Sequence, residues 1–306
     1  MIFGTKRRKV VFLRQILRGL RPLGFVDVGS GGPLKYPWSI LSRDQVKKFD
    51  FDANPDAAGG GDACISNRAG EGTLHIARDP RSSSLHLPSE EFMQRFGHDD
   101  MRVVREIPVR LETVDRLFDG RANEIDLIDI NAEGHDLMVL QGARDILAGG
   151  LVKLLKVEFE LASAWEGQGY FGDIDEFMRG QGYVLADLQV DFSRPAIVKN
   201  LAVRGEPIWG KSFYVPGSTR WEARRDSIGR AEFVRDVRCG IAANVLFDLP
   251  GRAISLAEML ERDERPAILN APRSGMDWIY RDAGLESVAR SIGELSRNAF
   301  RSVVNR

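Results

Sequence analysis

Three groups of polar residues stand where apolar runs end, and each has a chemistry open to it. The first is Asp27-Val28-Gly29-Ser30-Gly31-Gly32. Glycines after a strand let the backbone approach a ligand closely, and an acid about 20 positions further on can accept hydrogen bonds from a ribose. Asp52 lies 20 residues after Gly32. The set reads as a site for a nucleoside-containing cofactor or, more plainly, as a structural turn followed by a surface acid. The second group is Asp126 to Asp136 (DLIDINAEGHD), at the end of what reads as the fourth parallel strand. Asn131, Glu133 and His135 alternate there and can hold an amino group or a substrate hydroxyl, whereas Asp126 and Asp136 can equally be capping residues. The third is Glu158 and Glu160, whose spacing of two puts both carboxylates on one face of an otherwise apolar strand. Buried carboxylates need partners or a task, so the pair is either a strand-end ion pair with a neighbouring Lys or Arg, or a group that deprotonates a hydroxyl or grips a sugar.

Charge separates the cofactors that fit the first group. A dinucleotide needs a well-formed helix N-terminus beside its pyrophosphate and a third glycine for close helix packing. Here Pro33 and Leu34 occupy that stretch, and the two prolines, Pro33 and Pro37, weaken the helix. S-adenosylmethionine carries no phosphate, and loop contacts with Asp52 suffice for it, so the pattern favours the methyl donor. Methyl transfer from a sulfonium demands above all alignment of nucleophile, methyl and sulfur. A hydroxyl acceptor would gain from a general base, for which His135, Glu133, Glu158 and His75 are candidates in that order. His86 and His98 fall in polar loop sequence and read as surface residues. The segment Trp165 to Phe171 (WEGQGYF) offers either a lid that stacks on a ring or a surface latch.

Positioning these groups requires alternating strands and helices. Gly24–Gly29 and Val46–Asp52 read as two strands joined by a segment whose helix the prolines keep short or broken. Gly59–Gly61 reads as a loop, 63–65 and 73–76 as a hairpin, and 106–118 as a strand followed by a helical turn. Ile125–Ile130 has the pattern of a buried strand, and Leu137, Leu140, Ala143 and Leu147 form one face of a helix over 134–147. Strands over 151–159, 183–188 and 212–215 and a helix around Ile174–Met178 complete a mostly parallel sheet covered on both faces. After Pro216 the strand signals stop: Phe233, Val237, Ile241 and Val245, then Leu285, Val288, Ile292 and Leu295, repeat at helical spacing, and Ser255 with Glu258 makes a capping box.

The 306 residues, 43% apolar and 28% charged with a net charge of -1, exclude a disordered chain and a heavily basic nucleic-acid coat. No apolar run approaches the ~18–20 residues that cross a bilayer, and no signal-peptide pattern opens the sequence, so a cytoplasmic location is expected. Cys64 and Cys239 have no metal-ligand spacing, and no metal is expected. The first 21 residues carry seven Lys and Arg and no acid. Val10, Leu13, Leu17 and Leu20 share one face there and Arg14, Arg18 and Arg21 another, as in a helix packed on a domain or one touching anionic lipid or nucleic acid. The packed helix is the expectation, with no nucleic-acid partner.

Residues 20–216 resemble the FkbM-type S-adenosylmethionine-dependent methyltransferases. The resemblance rests on FVDVGSGG, FDFDANP, CISNRAGEGTLHI with Ser82-Ser83-Ser84-Leu85, VRLETVDRL, and above all IDLIDINAEGHDLMVLQGA with VEFEL behind it. It implies an α/β class I Rossmann-like methyltransferase sheet that usually methylates hydroxyls, often on sugars or glycosylated natural products. Carried over by position, it places Asp27, Gly29 and Gly31 along the donor, Asp52 on the ribose hydroxyls, and Asn131 and Glu133 beside the methionine portion or the acceptor. The chain departs from the family where Pro33 replaces Gly, Asp129 replaces Lys and Asn131 replaces Asp. Asn131 can still accept from an ammonium group; Asp129 reverses a charge.

The expected organisation is an N-terminal basic helix (1–22), a methyltransferase domain (23–216) and a C-terminal helical extension (217–306) that is a small subdomain or a homo-oligomer surface. The expected activity is O-methylation of a saccharide or glycosylated small molecule. A catalytically silent scaffold and a nicotinamide-dependent oxidoreductase on the same sheet are the alternatives.

Overall fold

The computed structural model describes residues 2–29, 32–55, 63–149, 152–198, 200 and 202–265, with side chains from residue 7 onward. In chain order its elements are α1 (Ile2–Ile16), β1 (Leu23–Val28), β2 (Val46–Phe51), β3 (Cys64–Ile65), β4 (Gly70–Ala77), α2 (Glu90–Phe96), β5 (Val103–Glu112), α3 (Val114–Leu117), β6 (Leu127–Ile130), α4 (Asp136–Gln141), α5 (Arg144–Ala148), β7 (Leu154–Glu160), α6 (Phe171–Gly180), β8 (Tyr183–Ser193), β9 (Glu206–Pro216), α7 (Ser218–Ser227), α8 (Arg230–Leu246) and α9 (Pro250–Ala257). The chain divides into two units, one of residues 22–35 and 42–229, the other of residues 1–21, 36–41 and 230–306.

The larger unit is a mixed α/β layer structure. Its six-stranded sheet runs β2-β1-β6-β7-β9-β8. The first four strands are parallel, while β9 is antiparallel to both β7 and β8. Parallel strands buried on both faces need near-continuous apolar runs. Every residue of β1 and β6 is accordingly buried. The chain leaves β1 toward β2 on one side and returns as β6 on the other, so the sheet reverses its order of addition between β1 and β6. Ligands of open α/β sheets collect outside the carboxyl ends of strands at such a reversal. As the two prolines require, a single 3-10 turn, Trp38–Ile40, is the only helical element among the described residues between β1 and β2.

Several expectations are corrected. The segments around 63–65 and 73–76 do not form a hairpin: β5 lies between β3 and β4 in a separate sheet, parallel to β3 and antiparallel to β4. A two-residue β3 has too few backbone groups to hold a hairpin, and the ten-residue β5 outcompetes it for β4. Because β3–β5 leave the main sheet, β6 is the third rather than the fourth of its parallel strands in chain order. The helix expected over 134–147 is two helices, α4 and α5. The Asp115 carboxylate accepts from the Asp145 and Ile146 amides, both at 3.0 Å, and so caps a second helix start inside the apolar pattern. Strands β8 and β9 begin or extend beyond the expected spans, and α7 falls with the sheet unit.

In the smaller unit α1 packs on α8, with Phe12, Leu13, Ile16 and Leu17 buried and Arg7, Arg8, Arg14 and Arg18 exposed. Lys9, in the basic run, is buried with its ammonium 2.6 Å from Asp248 and donating to the Leu246 carbonyl. Arg238 donates to the carbonyls of Ile16 and Arg18, satisfying the end of α1. Phe233, Val237, Ile241 and Val245 are all buried along α8, as their spacing predicts. The Ser255–Glu258 capping box is not formed: α9 starts at Pro250, and Ser255 sits inside it donating to the Gly251 carbonyl. Gly31, Gly59–Gly61 and the 285–295 pattern lie outside the described residues.

At the amino end of β6, Asp126 is fully buried, accepts from the Gly24 amide at 3.0 Å and lies 3.9 Å from the Lys153 ammonium. Removing one partner of a buried ion pair strands the other charge. Asp126→Ala is therefore expected to lower stability by about 3–5 kcal/mol. A urea-denaturation midpoint equal to that of the unaltered chain would exclude this role.

Candidate functional site

A cavity of about 310 Å³ opens at the carboxyl ends of β1, β2 and β6. Val28 and Gly29 line it from β1, Phe51 to Asn54 from β2, and Asn131, Ala132, Glu133 and His135 from β6. Cys64, Ile65, Leu74 and the Pro80–Leu85 loop close it from the three-stranded sheet, and Lys35 stands at its edge. The three strand ends are tied together by backbone: the Gly29 amide donates to the Phe51 carbonyl and the Asn131 amide to the Val28 carbonyl, both at 2.9 Å. Gly29 has φ +81°, and a Cβ there would lie 2.0 Å from the Asn131 carbonyl oxygen. Only glycine lets the two exits approach so closely.

Asp52 lies in the lining, and its Oδ1 accepts from the Asn54 amide at 2.9 Å. Asn54 in turn donates to the Pro80 carbonyl, which joins the β2 exit to the opposite wall. Between them the Cys64 thiol is pushed up to about 12, by burial first and by Asp52 second. It is a protonated wall residue and not a nucleophile.

Glu133 takes the left-handed conformation, φ +51°, which a non-glycine residue holds only against a cost of order 1–3 kcal/mol. The Ser84 hydroxyl donates to its carbonyl at 2.6 Å. The next residue, Gly134, has φ +86° and would drive a Cβ into the Trp165 ring, 2.5 Å away. This turn delivers the Glu133 side chain to the cavity. Burial and then the neighbouring Glu158 and Asp136 hold its carboxyl well above the ordinary range, with Lys211 opposing.

Behind Glu133 lie more acids. With the Asn131 amide oriented by its partners, its nitrogen donates to the Glu158 carboxylate, 2.8 Å to Oε1. Glu158 is raised to about 8, chiefly by burial and then by Asp136, against Lys211 and Lys156. Asp136 is raised to about 7 by burial, although backbone amides at the start of α4 stabilise its charge. Its Oδ1 accepts from the Ala132 amide at 3.1 Å.

His135, the first candidate base, is enclosed in a hydrogen-bonded chain. Its ring lies between His86 and Ser66, with Nδ1 3.1 Å from His86 Nε2 and Nε2 3.0 Å from Ser66 Oγ. The far end fixes the tautomers: the Glu166 carbonyl can only accept, so His86 donates from Nδ1 at 2.8 Å. A neutral His86 then accepts at Nε2, His135 donates from Nδ1, and Ser66 donates to His135 Nε2. Burial, then His86, lowers His135 to about 3. A ring with both nitrogens engaged and so little basicity positions the turn and takes no proton. His86 and His98 are likewise not loose surface residues: one is in this chain, and the other stacks on Phe92 with ring centroids 5.5 Å apart.

Asp27 does not line the cavity. Lys48 takes its carboxylate at 2.8 Å and that of Asp50 at 2.8 Å, in the row where β1 pairs with β2. Across β6 the reversed charge of Asp129 is matched by Lys156, 2.9 Å from both of its oxygens. His75 pairs with Glu106 and lies outside the lining. In the 165–171 segment Trp165 is buried with Phe92, Phe96 and Met101, and Phe171 packs on Phe159, so the latch describes both; of the three aromatic residues Tyr170 alone is exposed. Ser83, Ser84, Arg81 and Lys35 were not singled out as site residues by sequence reasoning. Ser82–Leu85 belonged to the family resemblance, but nothing in its spacing shows that it folds over the end of β6.

Residues 47–185 match the family model described as the Methyltransferase FkbM domain. The match runs from β2 into β8 and takes in Asp52, Asn131, Glu133 and Glu158. Over this stretch, less than half of its length, the chain is therefore similar to methyltransferase FkbM domains, and the larger unit is a mixed α/β fold around a mostly parallel sheet. No curated protein matches the chain. No helix among the described residues is long and apolar enough to cross a membrane, and no group of His, Cys, Asp and Glu among them is arranged to hold a metal ion.

The raised carboxyls set the sign of a pH effect. Asp136 and Glu158 keep protons in the folded chain up to about 7 and about 8, whereas unfolded carboxyls lose theirs near the ordinary range. Between those limits the folded state binds more protons, so its stability falls as pH rises. The melting temperature is expected to drop from pH ~6 to pH ~9, and Glu158→Gln should flatten that slope. A slope of the same steepness in Glu158→Gln would refute the burial of this acid.

Proposed function

We propose that this protein is an S-adenosylmethionine-dependent O-methyltransferase with a class I Rossmann-like sheet, acting on a hydroxyl of a saccharide or glycosylated small molecule. The observation that carries the reading is Asp52, held in the cavity wall at the end of β2 beside the Gly29 approach. A carboxylate there suits a ribose diol, and the strand exits that Gly29 lets approach one another would hold the amino-acid portion of the donor. The size of the cavity is that of a small-molecule site. Among the described residues no regular helix follows the glycines, which argues against a pyrophosphate and hence against a nicotinamide cofactor. Against a silent scaffold, the charge reversal at Asp129 is balanced by Lys156 within the fold and leaves the cavity wall intact.

When bound, S-adenosylmethionine would supply a methyl group made electrophilic by its sulfonium. The chain would hold it with Asp52, the Gly29 turn and Asn131, with Gly31 as a further proposed contact. Glu133 would orient the acceptor hydroxyl and take its proton as the new C–O bond forms and the C–S bond breaks. Its raised pKa makes it a stronger base than an ordinary carboxylate, at the cost of a smaller ionised fraction near neutrality. Glu158 would support it through Asn131. The cytoplasm is the proposed location, and residues 217–306 the proposed surface for any self-association.

Isothermal titration calorimetry tests the reading. Asp52→Ala is expected to weaken S-adenosylmethionine binding by roughly 10–100-fold, the worth of a charged hydrogen-bond pair. Unchanged affinity would remove Asp52 from the donor site and with it the main support for the assignment.

A further inference from the structure

Glu158 and Glu160 share one face of β7, beyond the cavity wall that Asn131 and Glu133 build. Glu160 is 3% exposed and Asp136 1%. Glu160 Oε2 and Asp136 Oδ2 are both buried without a hydrogen-bond partner among the described residues. A buried carboxylate oxygen with no donor forfeits the solvation it had in water, and natural folds rarely tolerate two side by side without a reason. The negative charges of Asp136, Glu158 and Glu133 all act on Glu160. The cations around them are Lys211, opposite Glu158 in the β7–β9 register, Lys156, already committed to Asp129, and Arg81, which pairs with Asp79 and also acts on Glu133. Asp79 adds a further negative charge on the Glu133 side.

The place of this cluster relative to the donor follows from the sheet. Asp52 leaves β2, and β7 is three strands along, in the order β2-β1-β6-β7. At ~4.8 Å per strand that is roughly 14 Å. A donor whose ribose sits at Asp52 spans β1 and β6, and what lies over β7 is beyond it, where the acceptor must be.

We propose that the acceptor carries a protonated amine next to the hydroxyl that is methylated, and that Glu133, Glu158 and Glu160 receive this ammonium group. The inference rests on the methyltransferase reading above and narrows its acceptor to an amino sugar. An ammonium offers up to three donors, enough for the orphaned Glu160 oxygen and for Glu133 and Glu158 together. It also settles which atom is methylated. A protonated nitrogen has no lone pair to attack a methyl group, so carboxylates that keep the amine charged leave the neighbouring hydroxyl as the nucleophile. Because the empty cluster holds extra protons, binding of an ammonium must expel at least part of them.

Calorimetry on the full chain, saturated with S-adenosylhomocysteine and kept below the pKa of the sugar amine, tests this with D-glucosamine, D-galactosamine and their N-acetyl forms. At least one amine is expected to bind roughly 10–100-fold more tightly than its acetylated form. Its binding heat should vary with buffer ionisation enthalpy in the sense of proton release, and Glu160→Gln should abolish the preference. Equal affinity for charged and acetylated sugars, or no binding of either, overturns the proposal while leaving the methyltransferase reading in place if S-adenosylhomocysteine binds. Loss of S-adenosylmethionine affinity in Glu160→Gln, with the sugar preference unchanged, gives the cluster to the donor and likewise overturns it. Failure of the unaltered chain to bind either adenosyl compound instead refutes the underlying function.

Discussion

The site depends on how closely the exits of β1 and β6 can approach. One backbone hydrogen bond joins the β6 exit to β1 and another joins the β1 exit to β2, and the gap between Gly29 and the Asn131 carbonyl is too small for one methyl group. Everything that lines the cavity from the sheet leaves one of these three strands within a few residues of that contact. A side chain at position 29 would push the β6 exit away, and the left-handed turn at Glu133 lies two residues beyond it. Backbone geometry, more than side-chain choice, sets the shape of the cavity.

Electrostatics then divides the acids into two populations. In the row across β2, β1, β6 and β7, Asp50, Asp27, Asp129 and Lys156 are in register, and Lys48 and Lys156 bind the three carboxylates. Each of these carboxylates has an ammonium partner, and the row holds the sheet. Two to four residues further along β7 that pairing is lost. Glu158 and Glu160 meet Glu133 and Asp136 with Lys211 as the nearest uncommitted ammonium, and their carboxyls are raised. Pairs of like groups whose pKa values are driven upward by burial are where proton transfer and cation recognition are found in enzymes. The same burial makes His135 a poor base, so enclosure strengthens the carboxylates as bases and disqualifies the imidazole.

Much of this was legible in the residues. Apolar runs marked β1, β6 and β7, and the prolines forecast the absence of a regular helix after β1. The i, i+2 spacing placed Glu158 and Glu160 on one strand face. The FkbM resemblance agrees with the matched domain over residues 47–185. What the residues did not show were long-range choices: β5 inserting between β3 and β4, Asp115 capping a second helix start, and Lys48 drawing Asp27 into the charge row. Gly31 lies outside the described residues, so its expected place beside Asp27 and Gly29 stays a proposal.

Local periodicity and turn chemistry, which act over a few residues, determined by sequence alone the alternation of strands and helices and the acids at their ends. The tertiary structure decided which of those acids are neutralised and which are left in excess, and which histidines lose their basicity. That outcome depends on groups brought together from far along the chain: His135 meets His86, 49 residues away, and Ser66, 69 residues away. Burial and Coulomb interactions depend on distance in space, and spacing along the chain carries no record of it.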